Sequence, residues 1–149
     1  HHLPTWAHLL AACAADGFRE LSRDLEAVIA MPGRADNTLI DMSLAYLAFA
    51  KRAPVVFRLM FNRDAVTERT EEFQRESGAA YAILQAAIRR LDPAMSNARF
   101  DSLLNTVWAR IHGISVLELE GQLCRSDSVK IETSDFLRDG LRSLINGSK

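Results

Sequence analysis

The sequence predicts an all-α protein, an antiparallel bundle of about six helices, on three observations. Apolar residues recur at spacings of three and four, and no useful stretch alternates with the period of a strand. Proline and glycine separate these stretches, as in Met31-Pro32-Gly33 and Asp92-Pro93. The 149 residues, 48% of them hydrophobic, suffice for one core. Residues 1–149 are therefore predicted to form a single helical domain.

Each expected helix has a start signal, either a side chain that can cap the first turn or a proline within that turn. The caps are Thr5, Asp36 or Asn37, Thr67, Ser96 or Asn97, and Thr133 or Ser134, and the proline is Pro54. Apolar residues of the second helix face several directions, so we expect it to be central. The helices are predicted at 6–30, 38–51, 54–61, 68–91 and 97–125, and from the last cap to about Ile145.

The predicted helix 97–125 contains Trp108, His112 and Gly113. Trp108 and His112 are four residues apart, so they lie on the same face. Trp108 either lines a ligand cavity or fills the core, and His112 either contacts a ligand or joins its helix to a neighbour. Gly113 is expected to permit a close approach, either within the chain or across a dimer.

Charge and composition exclude several classes of protein. Lys and Arg number 18 against 19 Asp and Glu, a balance that a free-standing nucleic-acid binder would not have. No apolar run reaches about 18 residues, so we expect no membrane span. No signal peptide is visible, and Cys13 and Cys124 form no disulfide framework, which favours a cytoplasmic location. His1-His2 is either native or the remnant of a tag.

Catalytic signals are lacking. There is no Gly-rich phosphate loop, no Gly-x-Ser-x-Gly and no His-Glu-x-x-His. His8 and Cys13 are five residues apart and have no further ligands nearby in sequence, so no metal site is expected. The sequence therefore predicts neither an enzyme nor a cofactor.

Three stretches together resemble a known family. In the first, residues 1–8 are similar to the junction between the family's two domains, and residues 9–18 to the first helix of the second domain. The others are residues 45–61 and the Trp-x-x-x-His-Gly spacing at 108–113. In this order they are similar to the C-terminal ligand-binding and dimerisation domain, of the WHG kind, of TetR-type transcriptional regulators. In the opening stretch His2 and Leu9 match the family's pattern. Trp6 stands where the family usually has a Lys that helps to hold the DNA backbone, which puts that contact in doubt.

The resemblance implies an architecture and partners. A helix-turn-helix domain is expected before His1, and operator DNA would be bound only through it. The chain itself would form a homodimer through its last two long helices and bind a small hydrophobic effector.

A surplus of bulky apolar residues on four helices predicts a ligand pocket with a few polar groups. We expect only part of the set to touch a cavity and the rest to be core. The candidate ligand-binding residues are Met42, Tyr46, Phe49, Met60, Phe61, Phe73, Ser77, Tyr81, Trp108, Ile111 and His112.

The last two helices predict a two-fold dimer seam, because they carry more apolar faces than one core uses. The candidate interface residues are Ala109, Gly113, Val116, Leu119, Leu123, Leu137, Leu141 and Leu144.

The function that follows is the sensing and dimerisation domain of a TetR-type regulator, a repressor released by a small apolar or amphipathic molecule. The alternative is a helical protein–protein interaction module without such a ligand, and a small helical enzyme comes last. An internal cavity would separate the first hypothesis from the second.

Overall fold

Six α-helices form in residues 4–123 and 132–147, the part of the chain that the computed structural model describes. They are α1 (Trp6–Ile29), α2 (Ala35–Arg52), α3 (Pro54–Met60), α4 (Glu71–Leu91), α5 (Asn97–Leu119) and α6 (Thr133–Gly147). No strand occurs in these residues. The all-α prediction with six helices is confirmed.

Helix α2 is the centre of the bundle. It packs against all five other helices, while α1 lies mainly along α4. Leu39, Phe49 and Ala50 of α2 have no exposed surface. The prediction of a central second helix is therefore confirmed, and its cause is the multi-sided apolar pattern.

Several helix ends lie where the sequence predicts them. Thr5 caps α1 by accepting a hydrogen bond from the backbone N–H of His8, and Ser96 caps α5 by accepting from that of Arg99. Such caps satisfy N–H groups that have no partner inside the helix. Helices α1 and α3 each end one residue before the predicted position.

Two helix starts differ from the predictions. Helix α4 begins at Glu71 rather than at 68, because Thr70 and not Thr67 accepts from the N–H of Phe73. Helix α2 begins at Ala35 rather than at 38, with no side-chain cap. Asp36 then lies in its first turn, where a carboxylate is favoured by the helix dipole.

Helix α5 ends earlier than predicted, at Leu119 instead of residue 125. Gly121 adopts a positive φ of 64°, and the N–H of Gln122 donates to the carbonyl oxygen of Leu117 at 2.8 Å. This is a Schellman motif, in which glycine readily adopts the left-handed conformation. Residues 124–131 lie outside the described part, and with them Cys124 and Arg125, the last two residues of the helix predicted at 97–125.

The expectation that Leu137 and Leu141 belong to a dimer seam is wrong. Both side chains are 0% exposed within a single chain, so they have no surface to offer a partner. Helix α6 packs on α2 and α5, and its apolar stripe of Leu137, Leu141 and Ile145 is buried there. The core of the monomer therefore covers the apolar face of α6 that the sequence analysis assigned to a dimer seam.

Gly17 makes close packing of α1 on α3 possible. A Cβ atom at this position would lie 2.6 Å from Cγ1 of Val56 and 2.7 Å from Sδ of Met60. Neither distance is a normal contact, so a larger residue forces the packed side chains of Val56 and Met60 to shift.

We expect Gly17→Ala to lower the free energy of unfolding by about 1–2 kcal/mol, because overpacking outweighs the helix propensity of Ala. The matched control is Gly78→Ala in α4, where a Cβ meets nothing within 4 Å. That control should raise the free energy of unfolding by about 0.5–1 kcal/mol. Urea unfolding measures both, and equal effects of the two substitutions would contradict the prediction.

Candidate functional site

A partly open cavity of about 170 Å³ lies between α1, α2, α4 and α5. It is comparable with an engineered apolar cavity of about 150 Å³ that stays dry and binds benzene. None of its lining residues is charged. They are Phe18, Leu21 and Leu25 of α1, Met42, Ser43 and Tyr46 of α2, Phe61, then Ser77, Ala80, Tyr81 and Leu84 of α4, and Trp108 and Ile111 of α5.

Most of the predicted ligand residues line this cavity, namely Met42, Tyr46, Phe61, Ser77, Tyr81, Trp108 and Ile111. Met60 and Phe73 line a neighbouring hollow instead. Phe49 and His112 line neither, since Phe49 is wholly buried in the core and His112 lies behind the wall. The binding role of all these residues stays a prediction.

The sequence reasoning missed the contribution of α1. Phe18, Leu21 and Leu25 line the cavity, although their spacing indicates only a buried stripe. The same holds for Ser43, Ala80 and Leu84. Nothing in a local apolar pattern tells a cavity wall from a filled core, so no sequence signal was available.

Aromatic rings build the wall beside α5. The rings of Trp108 and His112 stack with centroids 5.1 Å apart, and Tyr46 meets Trp108 edge-on at 5.8 Å. The ring of Phe61 contacts that of His112 at 4.5 Å. Trp108 thus lines the cavity, and His112 supports it from behind.

One hydrogen bond links the two long helices of this wall. It joins the hydroxyl oxygen of Tyr46 in α2 to Nδ1 of His112 in α5, at 2.8 Å. Burial raises the pKa of the Tyr46 phenol well above its usual value and lowers the pKa of His112. Both side chains are therefore neutral at pH 7, and the wall carries no charge.

The cavity offers few free polar groups. The hydroxyl of Ser43 donates to the carbonyl oxygen of Leu39 at 2.8 Å, and that of Ser77 to Gln74 at 3.3 Å. Within the described residues no group of three or more His, Cys, Asp or Glu side chains is placed to hold a metal. The lining suits binding of an apolar molecule.

The fold and the cavity define a class: a helical domain with an apolar site between its helices. The profile of the family described as "Tetracyclin repressor-like, C-terminal domain" matches residues 39–144. The chain belongs to this family, and the predicted kind of domain, a ligand-binding and dimerisation domain of a regulator, is confirmed at that level. Domains of this family are typically non-enzymatic.

The fold is also similar to a solved structure, described as a protein of unknown function from Rhodococcus sp. RHA1. The two share 19% sequence identity with a TM-score of 0.82, over 98% of this chain and 74% of the other. No curated protein matches the chain. None of the helices in the described ranges is long and apolar enough to cross a membrane.

We expect His112 to titrate below 6.5, the ordinary pKa of histidine, because burial disfavours its charged form. Below pH 6.5 the unfolded chain then binds a proton that the folded chain does not. The free energy of unfolding should therefore fall as the pH drops from about 7 toward the folded pKa.

NMR titration of the imidazole measures the pKa, and denaturant unfolding at several pH values measures the stability. His112→Asn is the control, since it keeps a polar group near Tyr46 and removes the titration. An unchanged pH dependence in that variant would count against His112 as the cause.

Proposed function

We propose that the chain is the ligand-sensing and dimerisation domain of a TetR-type DNA-binding transcriptional regulator. It acts as a repressor in the cytoplasm, and a small apolar or amphipathic molecule releases it from DNA. The observation that carries the proposal is the uncharged cavity of about 170 Å³ between four helices. Operator DNA is bound only through an N-terminal helix-turn-helix domain of the kind that such regulators have.

The cavity is well placed to transmit binding. Phe18, Leu21 and Leu25 belong to α1, the helix that leads back toward the N-terminal side of the chain. Trp108 and Ile111 belong to α5, whose other face is exposed. A ligand therefore contacts both the helix nearest to a DNA-binding domain and a helix of the dimer surface. The ligand can change the affinity of the dimer for DNA only by as much as its own affinity differs between the DNA-binding and the released arrangement of the dimer.

The proposed dimer surface follows the exposed side of α5. Ala109 and Val116 are exposed there, and a Cβ at Gly113 would meet nothing within 4 Å. Gly113 is thus not needed for a contact within the chain, which favours its role at a seam. Phe136 of α6 is 45% exposed and adds apolar area. Leu119, Leu123 and Leu144 are partly exposed and remain in the proposal, without Leu137 and Leu141.

The alternative is a helical interaction module without a small ligand, and such a module does not require an apolar cavity. It predicts that apolar probes leave the stability of the protein unchanged.

Filling the cavity should abolish ligand binding. A one-ring probe such as toluene, at ten times its Kd, should stabilise the wild type by about 1.4 kcal/mol. This raises Tm by roughly 3–6 °C for a domain of this size. In Ala80→Phe, which places a ring into the cavity, the shift should vanish.

Ala79→Phe is the matched control, because Ala79 is exposed on the same helix. It should keep the full shift. A probe that stabilises neither the wild type nor Ala79→Phe would favour the interaction module, and an unchanged shift in Ala80→Phe would place the ligand elsewhere.

Ala109→Arg should convert a dimer into a monomer, because a long charged side chain would separate helices that approach over small residues. Ala48→Arg, at an exposed position of α2, should leave the dimer intact. Sedimentation at micromolar concentration distinguishes the two states. Leu141→Arg, by contrast, should unfold the monomer because Leu141 is wholly buried. A monomeric wild type or a dimeric Ala109→Arg would refute the proposed surface.

A further inference from the structure

A second hollow, which we call the outer groove, adjoins the cavity and has a volume of about 210 Å³. Phe18, Phe61 and Ser77 line both spaces. The rings of Phe18 and Phe61 meet edge-on with centroids 5.4 Å apart. The cavity and the outer groove are therefore adjacent and share these side chains as a common wall.

The outer groove contains the charges that the cavity lacks. Arg63 and Arg69 are the charged residues among the side chains lining either space, and both are exposed cations. In the described part of the chain no ion pair joins either guanidinium to a carboxylate. The Arg69 guanidinium lies 5.3 Å from the centroid of the Phe73 ring, which forms part of the groove floor.

Nearby acidic side chains do not neutralise this pair. Glu72 and Glu76 lie 2.8 and 3.4 Å from the Arg19 guanidinium, which is their partner in α1. Asp64 and Glu68 are neighbours in sequence, but they are exposed and form no ion pair with the two arginines. The groove thus presents two available cations beside an apolar interior.

Asn62 adds a neutral donor to the groove. Its Oδ1 accepts hydrogen bonds from the backbone N–H groups of Asp64 and Ala65, each at 3.0 Å. This fixes the side-chain amide at the groove lining and leaves its NH₂ group as a donor, which suits an anionic oxygen.

We propose that the effector is an amphipathic carboxylic acid in its ionised form. Its apolar end occupies the cavity, its chain passes between Phe18 and Phe61, and its carboxylate binds at Arg63 and Arg69. The physical reason is desolvation, since a charge inside the uncharged cavity would have no partner, whereas guanidinium groups match a carboxylate in shape and charge. This inference rests on the proposed function, because it requires the cavity to bind a ligand.

The test compares two probes that share a 3-phenylpropyl group and differ in the head group, an ionised carboxylate in 4-phenylbutanoate and a neutral CH₂OH in 4-phenyl-1-butanol. Trp108 lines the cavity and Trp6 is 72% exposed, so a Trp6→Phe background leaves one fluorescent reporter at the site. Both probes should change its emission. The acid should bind about fivefold to tenfold more tightly at low ionic strength, and this preference should shrink in about 1 M salt.

In R63Q/R69Q the preference for the acid should disappear while the Kd of the alcohol stays unchanged. R23Q/R142Q removes the same charge from exposed positions that line neither space and should keep the preference. Thermal unfolding verifies that each variant is folded. If the double variant is not folded, the single variants R63Q and R69Q replace it in the comparison.

The outcomes separate the inference from the proposed function. Binding of neither probe overturns both. Binding of the alcohol as tightly as the acid overturns the inference alone, and so does a preference for the acid that survives in R63Q/R69Q.

Discussion

The rest of the structure depends on the central position of α2, which packs against all five other helices. Thr38, Ser43 and Tyr46 of this helix are buried away from water, so each polar side chain must find a partner within the protein. Thr38 and Ser43 donate to the carbonyl oxygens one turn earlier, at 3.1 and 2.8 Å. The hydroxyl of Tyr46 extends too far for this, and its partner is His112 of α5. A central helix therefore imposes a specific tertiary hydrogen bond.

That hydrogen bond also explains why a cavity persists beside it. Tyr46 and Trp108 are held edge-on, and Trp108 is stacked on His112. Rigid rings locked by such contacts cannot rearrange to fill a gap as a methionine would. The space between four helices thus stays open, and because its wall is neutral, it favours apolar groups.

Charge is separated from this interior by two phenylalanine rings. Ion pairs of Arg19 with Glu72 and Glu76 join α1 to α4 at the surface, while Arg63 and Arg69 lie in the outer groove. The resulting site changes from apolar to cationic over a short distance. Such a gradient orients an amphipathic molecule, because the apolar end is stabilised only in the cavity and the charged end only beside the arginines.

The sequence by itself determined the helices and much of the cavity wall. Periodicity predicted six helices and a central second one, and the caps at Thr5 and Ser96 are local hydrogen bonds that need no tertiary partner. Trp108 and His112 share a face because they are one turn apart. The sequence analysis missed that Thr70 rather than Thr67 caps α4, because two equivalent local signals compete. It also missed that α5 ends at Leu119, because the apolar pattern continues past Gly121.

Only the tertiary structure decided which neighbour covers each apolar face. Leu137 and Leu141 are core residues because α6 packs on its own chain, and Phe18 lines a cavity because α1 lies beside α4. Gly17 meets α3 closely, while Gly113 meets nothing. A local sequence pattern shows that a helix face is apolar and will be buried. Packing between helices that are distant in sequence determines whether another helix, a cavity or a second subunit covers that face.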